Sequence, residues 1–347
     1  MPYESQHTLH EGELLDGRGQ LAEAGFATSL CRKYDRTAIQ AGAMRIKEWD
    51  YYCISDETAV LALTIADNSY MGLDSISLID LPMGWQQTRS FMRMFPMGKT
   101  RMPATSVTGS VAVERPNYTL SFENQSGVRR LTAHIDNFCE GKTLVADITL
   151  TNPPEDSMVI ATPFAGKPRH FYYNQKINCL RAEGFVTLGD DTHTFEGGIA
   201  SAVLDWGRGV WTYKNTWYWS SLSGYLDGVP FGFNLGYGFG DTSAATENML
   251  FYNGRAHKLE HVAFQIPKTS AGADDYLSPW TFSDNHNRLN LTFTPALDRA
   301  ALTDFKLLKS DQHQVFGYFD GTAMLDDGTV LEIKHKLGFA EKVTNLW

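Results

Sequence analysis

The sequence predicts an all-β chain built from two packed blocks of antiparallel strands. Three observations carry that expectation. Aromatic residues make up 12% of the 347, with 20 Phe, 15 Tyr and 8 Trp, and large rings pack well on pleated sheets. Short apolar runs recur between turn-forming clusters of Gly, Asn, Asp and Pro. The length suits two domains of about 170 residues each or one large β domain, and a sheet with so many strands either curls into a barrel or splits into packed layers.

Residues 1–40 are mixed polar and broken by Gly17, Gly19 and Gly25, as expected of an arm packed on the body. From Arg45, the runs RIKEWDYYCIS, AVLALTIAD and DSISLIDL read as a meander, separated by turn material at Ser55–Glu57 and Asn68–Gly72. Met83–Met102 holds five Met and four basic residues without a clean period. It reads either as a strand with a long loop or as a Met-lined lid over an apolar cavity, because Met adapts to irregular ligands. Short strands continue to Asn152, and Leu144, Ala146, Ile148 and Leu150 alternate onto one face. Pro153-Pro154 ends that series, since Pro cannot donate to a ladder. With Pro163 and Pro168 close by, a first domain is expected over 1–165 and a second over 166–347. The second block carries the hairpin signals Asn253-Gly254 and Asp327-Gly328. One helix is expected, Pro295–Ser310, with Leu297, Ala301, Leu302, Phe305 and Leu308 at helical spacing.

The net charge of −10 is spread without runs, unlike the basic stripe of a nucleic-acid binder. No apolar run reaches the ~20 residues of a membrane helix. The opening MPYESQHTLHEGELLDG lacks an apolar core, so no secretory signal is expected. Cys31, Cys53, Cys139 and Cys179 show no CxxC spacing and read as reduced thiols of a cytoplasmic protein. Gly236, Gly238 and Gly240 lack the βαβ context of a dinucleotide site. Alternating Gly instead clears one strand face for curvature or close approach. His257 and His261 fall four apart on an expected strand, about 13 Å, too far to share a metal. No cofactor and no metal is expected.

The stretch Ala202–Phe251 holds four of the eight Trp and most of the candidate chemistry. Trp217 and Trp219 share a strand face, extended by Tyr213 if the strand is continuous. That stripe either lines a ligand pocket or forms core. Asp205 beside Trp206 reads as a buried general acid, or as a cap of the Gly207–Gly209 turn. Glu247 and Asn248 read as polar groups at a pocket rim, or as strand-initiating hydrogen bonds. His170 reads as a base or proton shuttle, or as an ordinary satisfied histidine. Tyr173, Asn234 and Tyr237 complete the ligand-lining set.

The segments WDYY (49–52), LDWGRG (204–209), TWYWSS (216–221) and GFNLGYGFGD…EN (232–248) resemble a bacterial family catalogued as domain of unknown function 2804. More distantly, the chain resembles the lipocalin-like group that contains carotenoid 1,2-hydratases, through an Asp next to Trp-Gly, matched by Asp205-Trp206-Gly207. The resemblance implies tandem calycin-type barrels with an apolar ligand pocket. Some members of that group add water to isoprenoid double bonds, and the function expected here is acid-assisted hydration or isomerisation of an isoprenoid or lipid-like molecule, with Asp205 as the acid and Glu247 and His170 orienting water or substrate. The alternatives are a non-catalytic carrier of lipids or pigments, and a carbohydrate-active protein, which as a retaining hydrolase would need two carboxyls about 5 Å apart.

Overall fold

The computed structural model describes residues 6–304 and 309–346. Apart from two single-turn 3-10 helices, Arg36–Ala38 and Ala43–Arg45, the regular structure of these residues is entirely β. In chain order the strands are β1 (Gly12–Glu13), β2 (Gly25–Ala27), β3 (Arg32–Lys33), β4 (Ile46–Ser55), β5 (Ala59–Asp67), β6 (Met71–Asp80), β7 (Trp85–Met94), β8 (Gly109–Arg115), β9 (Tyr118–Gln125), β10 (Val128–Cys139), β11 (Lys142–Thr151) and β12 (Met158–Phe164). They continue as β13 (Lys167–Leu188), β14 (Asp191–Phe195), β15 (Ser201–Val210), β16 (Lys214–Leu226), β17 (Val229–Tyr237), β18 (Met249–Tyr252), β19 (Arg255–Lys258), β20 (Val262–Gln265), β21 (Trp280–Asp284), β22 (Leu289–Asp304), β23 (Lys309–Met324) and β24 (Val330–Leu346).

Two curled antiparallel sheets result. The first runs β7-β6-β5-β4-β15-β13-β11-β10-β9-β8, with β12 and β14 paired to β13 and β2 paired to β12. The second runs β19-β18-β17-β16-β24-β23-β22-β21-β20. Each ladder ends in two edge strands among the described residues, so each sheet is a half-barrel rather than a closed wall. Side chains reach across the first half-barrel, as where Arg89 of edge strand β7 donates to the carbonyls of Asn137 and Phe138 on β10.

The expected boundary near residue 165 falls inside the first sheet, because β13 and β15 pair with each other and with β4 and β11. The chain changes sheet between Val210 and Lys214. Prolines mark strand ends, and a strand end inside a sheet looks in sequence like a domain end. The helix expected over Pro295–Ser310 is a second correction. Leu289–Asp304 is β22, paired with β23 down to Asp304↔Lys309. Leu297 and Ala301, four apart, share a face on a strand as well as on a helix, and pairing with β23 decided between them. Phe305 and Leu308 lie outside the described residues. The Met-rich segment is also no lid over the candidate site: Met92 and Met94 are exposed on edge strand β7. Met94, Phe95 and Lys99 face Arg115 across a surface groove of about 310 Å³.

Strand alternation sorts side chains between three compartments. On β15, Ala202, Leu204 and Trp206 enter the core of the first half-barrel. Val203 points the other way, into a core shared with Trp219, Phe316 and Phe339 of the second sheet. On β17, Phe231, Phe233 and Leu235 fill the second half-barrel together with Trp280, Phe282, Phe293 and Phe319. The interior of the second half-barrel, where the implied barrel pocket would lie, is therefore packed by its own rings. What remains is the space between the two sheets. One pin across it is Asn178, at the β13 bulge between Ile177 and Leu180. Its amide donates to Ser221 Oγ at 2.8 Å and to the carbonyl of Phe233 at 3.0 Å.

Candidate site between the sheets

The inter-sheet faces of β4, β13 and β15 meet those of β16, β17 and β24 over a layer of rings and buried charge. Gly207 makes room for one of those rings. A Cβ there would run into the indole of Trp49, so the glycine is a bed for that side chain. Trp49 stacks on Tyr172, 6.1 Å between centroids at 10°, and meets Trp211 edge-on. Trp211 in turn meets Trp217 at 5.9 Å.

Beneath the rings lies a polar cluster. Asp205 is 7% exposed. It accepts from Asn174 Nδ2 at 2.6 Å and pairs with Lys176 Nζ at 3.0 Å. The same ammonium sits 4.0 Å from the centre of the Trp219 ring, a cation–π contact in a desolvated place. Trp219 Nε1 donates to Asn234 Oδ1 at 2.7 Å, and Asn234 Nδ2 donates to the Glu247 carboxylate at 3.2 Å. Gly236 has no side chain to block that carboxylate; a Cβ would meet Glu247 Oε1 at 2.6 Å. On the other flank, Trp217 Nε1 donates to Glu341 Oε1 at 2.7 Å, and Gln314 Nε2 donates to Glu341 Oε2 at 3.2 Å.

Burial raises the pKa of both glutamates. Glu247 is shifted up, with Lys176 and the Asn234 hydrogen bond opposing the shift. Glu341 is pushed up to about 7 against the Trp217 hydrogen bond. Burial also lifts Tyr172 far above the usual phenol range, reinforced by the charges of Glu247, Asp205 and Glu341. Carboxylates from both sheets thus act on the one phenol.

Of the residues singled out in the sequence, Asp205, Trp217, Trp219, Asn234 and Glu247 come together here. Asn248 supports them from behind: its Oδ1 accepts from Gly236 N at 2.7 Å and its Nδ2 donates to the Glu260 carbonyl. Four others do not join. Tyr173 faces the core of the first half-barrel, where its hydroxyl donates to the Arg32 carbonyl at 2.9 Å. Tyr237 faces the second core, stacked on Tyr218 at 4.6 Å. Tyr213 is 48% exposed in the link before β16, so the Trp217 stripe does not extend to it. His170 lies at the outer end of β13, partly buried, its pKa lowered by burial and by the charges of Arg45 and Lys167. Sequence reasoning missed Lys176, Glu341, Trp49, Tyr172 and Trp211. Lys176 carried a signal: it alternates with Asn174 and Tyr172 in a run that reads as a strand.

The fold and the site define a two-sheet, lipocalin-like β protein with a cluster of buried charge between its half-barrels. The chain belongs to the family described as domain of unknown function (DUF2804), whose model matches residues 5–347. No curated protein matches it in sequence. In structure it is similar to a protein provisionally named AttH from Nitrosomonas europaea, at 14% identity and a TM-score of 0.57 over 86% of this chain and 92% of that one. It is also similar to kievitone hydratase from Nectria haematococca, at 10% identity and a TM-score of 0.49 over 97% of this chain and 98% of that one. These likenesses concern the fold. Among the described residues, no helix is long and apolar enough to cross a membrane.

Proposed function

We propose that the inter-sheet site binds an apolar, unsaturated small molecule and catalyses proton transfer to it, leading to hydration or isomerisation. One observation carries the reading: Glu341, buried among indoles, has its pKa pushed up to about 7. A general acid works best when its pKa lies near the working pH, and protonating an alkene needs a neutral carboxyl in a dry place. Asp205, the acid favoured by sequence, has the geometry of an ion pair with Lys176. It is assigned here to orienting Lys176 and Asn174.

In hydration, the Glu341 proton forms a new C–H bond with the π electrons of the alkene. The cation left on the neighbouring carbon lies against the face of Trp217. Water adds to that carbon and releases its extra proton to a carboxylate, Glu247 or the Glu341 anion. In isomerisation, the cation loses a different proton instead. A carrier would need the rings but no titratable acid among them. The free thiols Cys31, Cys53, Cys139 and Cys179 support a reducing, cytoplasmic setting.

Native mass spectrometry of protein from its own host identifies the ligand. Turnover of that ligand in deuterated water should place deuterium on carbon with the wild type, and at least ~100-fold more slowly with Glu341→Gln. A bound sugar, or equal incorporation by the variant, overturns the reading.

A further inference from the structure

The ring layer over the polar cluster has a centre, and the protein occupies it with a side chain of its own. Phe239 is 7% exposed, yet Gly238 and Gly240 on either side of it are exposed. A single ring has been pushed inward from surface backbone. Four rings receive it: Tyr172 and Trp211 at 4.9 Å, Phe164 at 5.3 Å and Trp217 at 5.5 Å between centroids. All four stand nearly perpendicular to it, at interplanar angles of 77–84°. That arrangement offers ring edges and faces to a flat π system, and part of its attraction depends on the occupant's quadrupole.

The backbone that carries the ring is built to be re-aimed. Gly238 and Gly240 have φ of +91° and +73°, a region that costs glycine nothing and other residues a good deal. Residues 238–248 form neither strand nor helix. Asp241 N donates to the Pro163 carbonyl, and beyond it Ala244 and Thr246 are held by His7 and Gln6 of the N-terminal arm. Few bonds hold the loop where the ring enters.

We infer that Phe239 is a stand-in ligand: the cage of Phe164, Tyr172, Trp211 and Trp217 takes a planar conjugated ring of the substrate when the 238–243 loop withdraws. The inference rests on the proposed site and names its substrate class.

The test measures binding, which needs no proton transfer and so stands apart from turnover by Glu341→Gln. The probes are 2-naphthol and its saturated counterpart decahydro-2-naphthol, titrated by calorimetry. Phe239→Ala should bind 2-naphthol ~10–100-fold more tightly than the wild type, because a plug open in ~1–10% of molecules weakens binding by that fraction. Decahydro-2-naphthol should bind much more weakly than 2-naphthol to both. A staple guards against misfolding of that variant. A Cβ at Gly240 would lie 3.5 Å from Thr162 Cβ, within disulfide range. Thr162→Cys with Gly240→Cys should lose 2-naphthol binding when oxidised and regain it on reduction. Equal binding by the oxidised and reduced staple, equal affinity for flat and saturated probes, or no gain in a folded Phe239→Ala overturns the inference.

Discussion

Glu341 and the Asp205–Lys176 pair are two solutions to burying charge. Glu341 accepts hydrogen bonds from Trp217 and Gln314, and burial raises its pKa from 4.5 to about 7 against that Trp217 bond and the charges of Arg299 and Lys176. The folded protein therefore holds that proton more tightly than the unfolded chain does. The resulting stabilisation is complete below about pH 4.5, declines as pH rises, and is lost above about pH 7. It amounts to about 3 kcal/mol at full extent. Thermal or urea unfolding across that range should show the wild type losing stability relative to Glu341→Gln, and parallel curves would remove the assignment. Lys176 behaves differently, because truncating one member of a buried pair strands the other. Lys176→Ala is expected to cost about 3–5 kcal/mol, read from the urea midpoint; a loss below about 1 kcal/mol would mean that Asp205 is hydrated. Neither role was legible in the sequence. Glu341 meets Trp217 across a separation of 124 positions, through the pairing of β16 with β24. Asp205 was legible as buried, but its partner was not, because Lys176 reaches it only across the β13–β15 ladder.

At the scale of elements, the strands do the sorting. Trp217 and Trp219 were predictable as neighbours on one face because a period of two is local. Tyr173 was assigned to the site and Tyr172 left out, and the structure reverses them. Pairing register alone separates the two, since a one-residue slip sends a side chain to the opposite face. The β13 bulge shows what register achieves. It turns Asn178 toward β16 and β17, where one amide nitrogen serves two hydroxyls and two carbonyls. Asn178→Ala should cost about 1–3 kcal/mol, since it leaves buried acceptors without a donor. Hydrogen exchange should accelerate at Ser221–Phe233 more than in β5 or β6; a uniform change would argue against a local pin.

The whole molecule is two half-barrels that share a third core. Trp49, Trp211, Trp217 and Trp219 belong to clusters that draw residues from both sheets. Neither half can bury these rings alone, so unfolding should be one cooperative transition. Calorimetry of the full chain should give a single peak with equal calorimetric and van't Hoff enthalpies; two resolved peaks would show independent halves. The sequence by itself determined the all-β class, the strand-and-turn order and the aromatic stripe on β16, because composition, turn chemistry and alternation are properties of neighbours in the chain. Only the tertiary structure decided where the chain changes sheets, that each half-barrel fills itself, and that the carboxylates converge between them. Those outcomes depend on which strands pair and how two curved surfaces dock, and contacts between distant segments leave no local pattern to read.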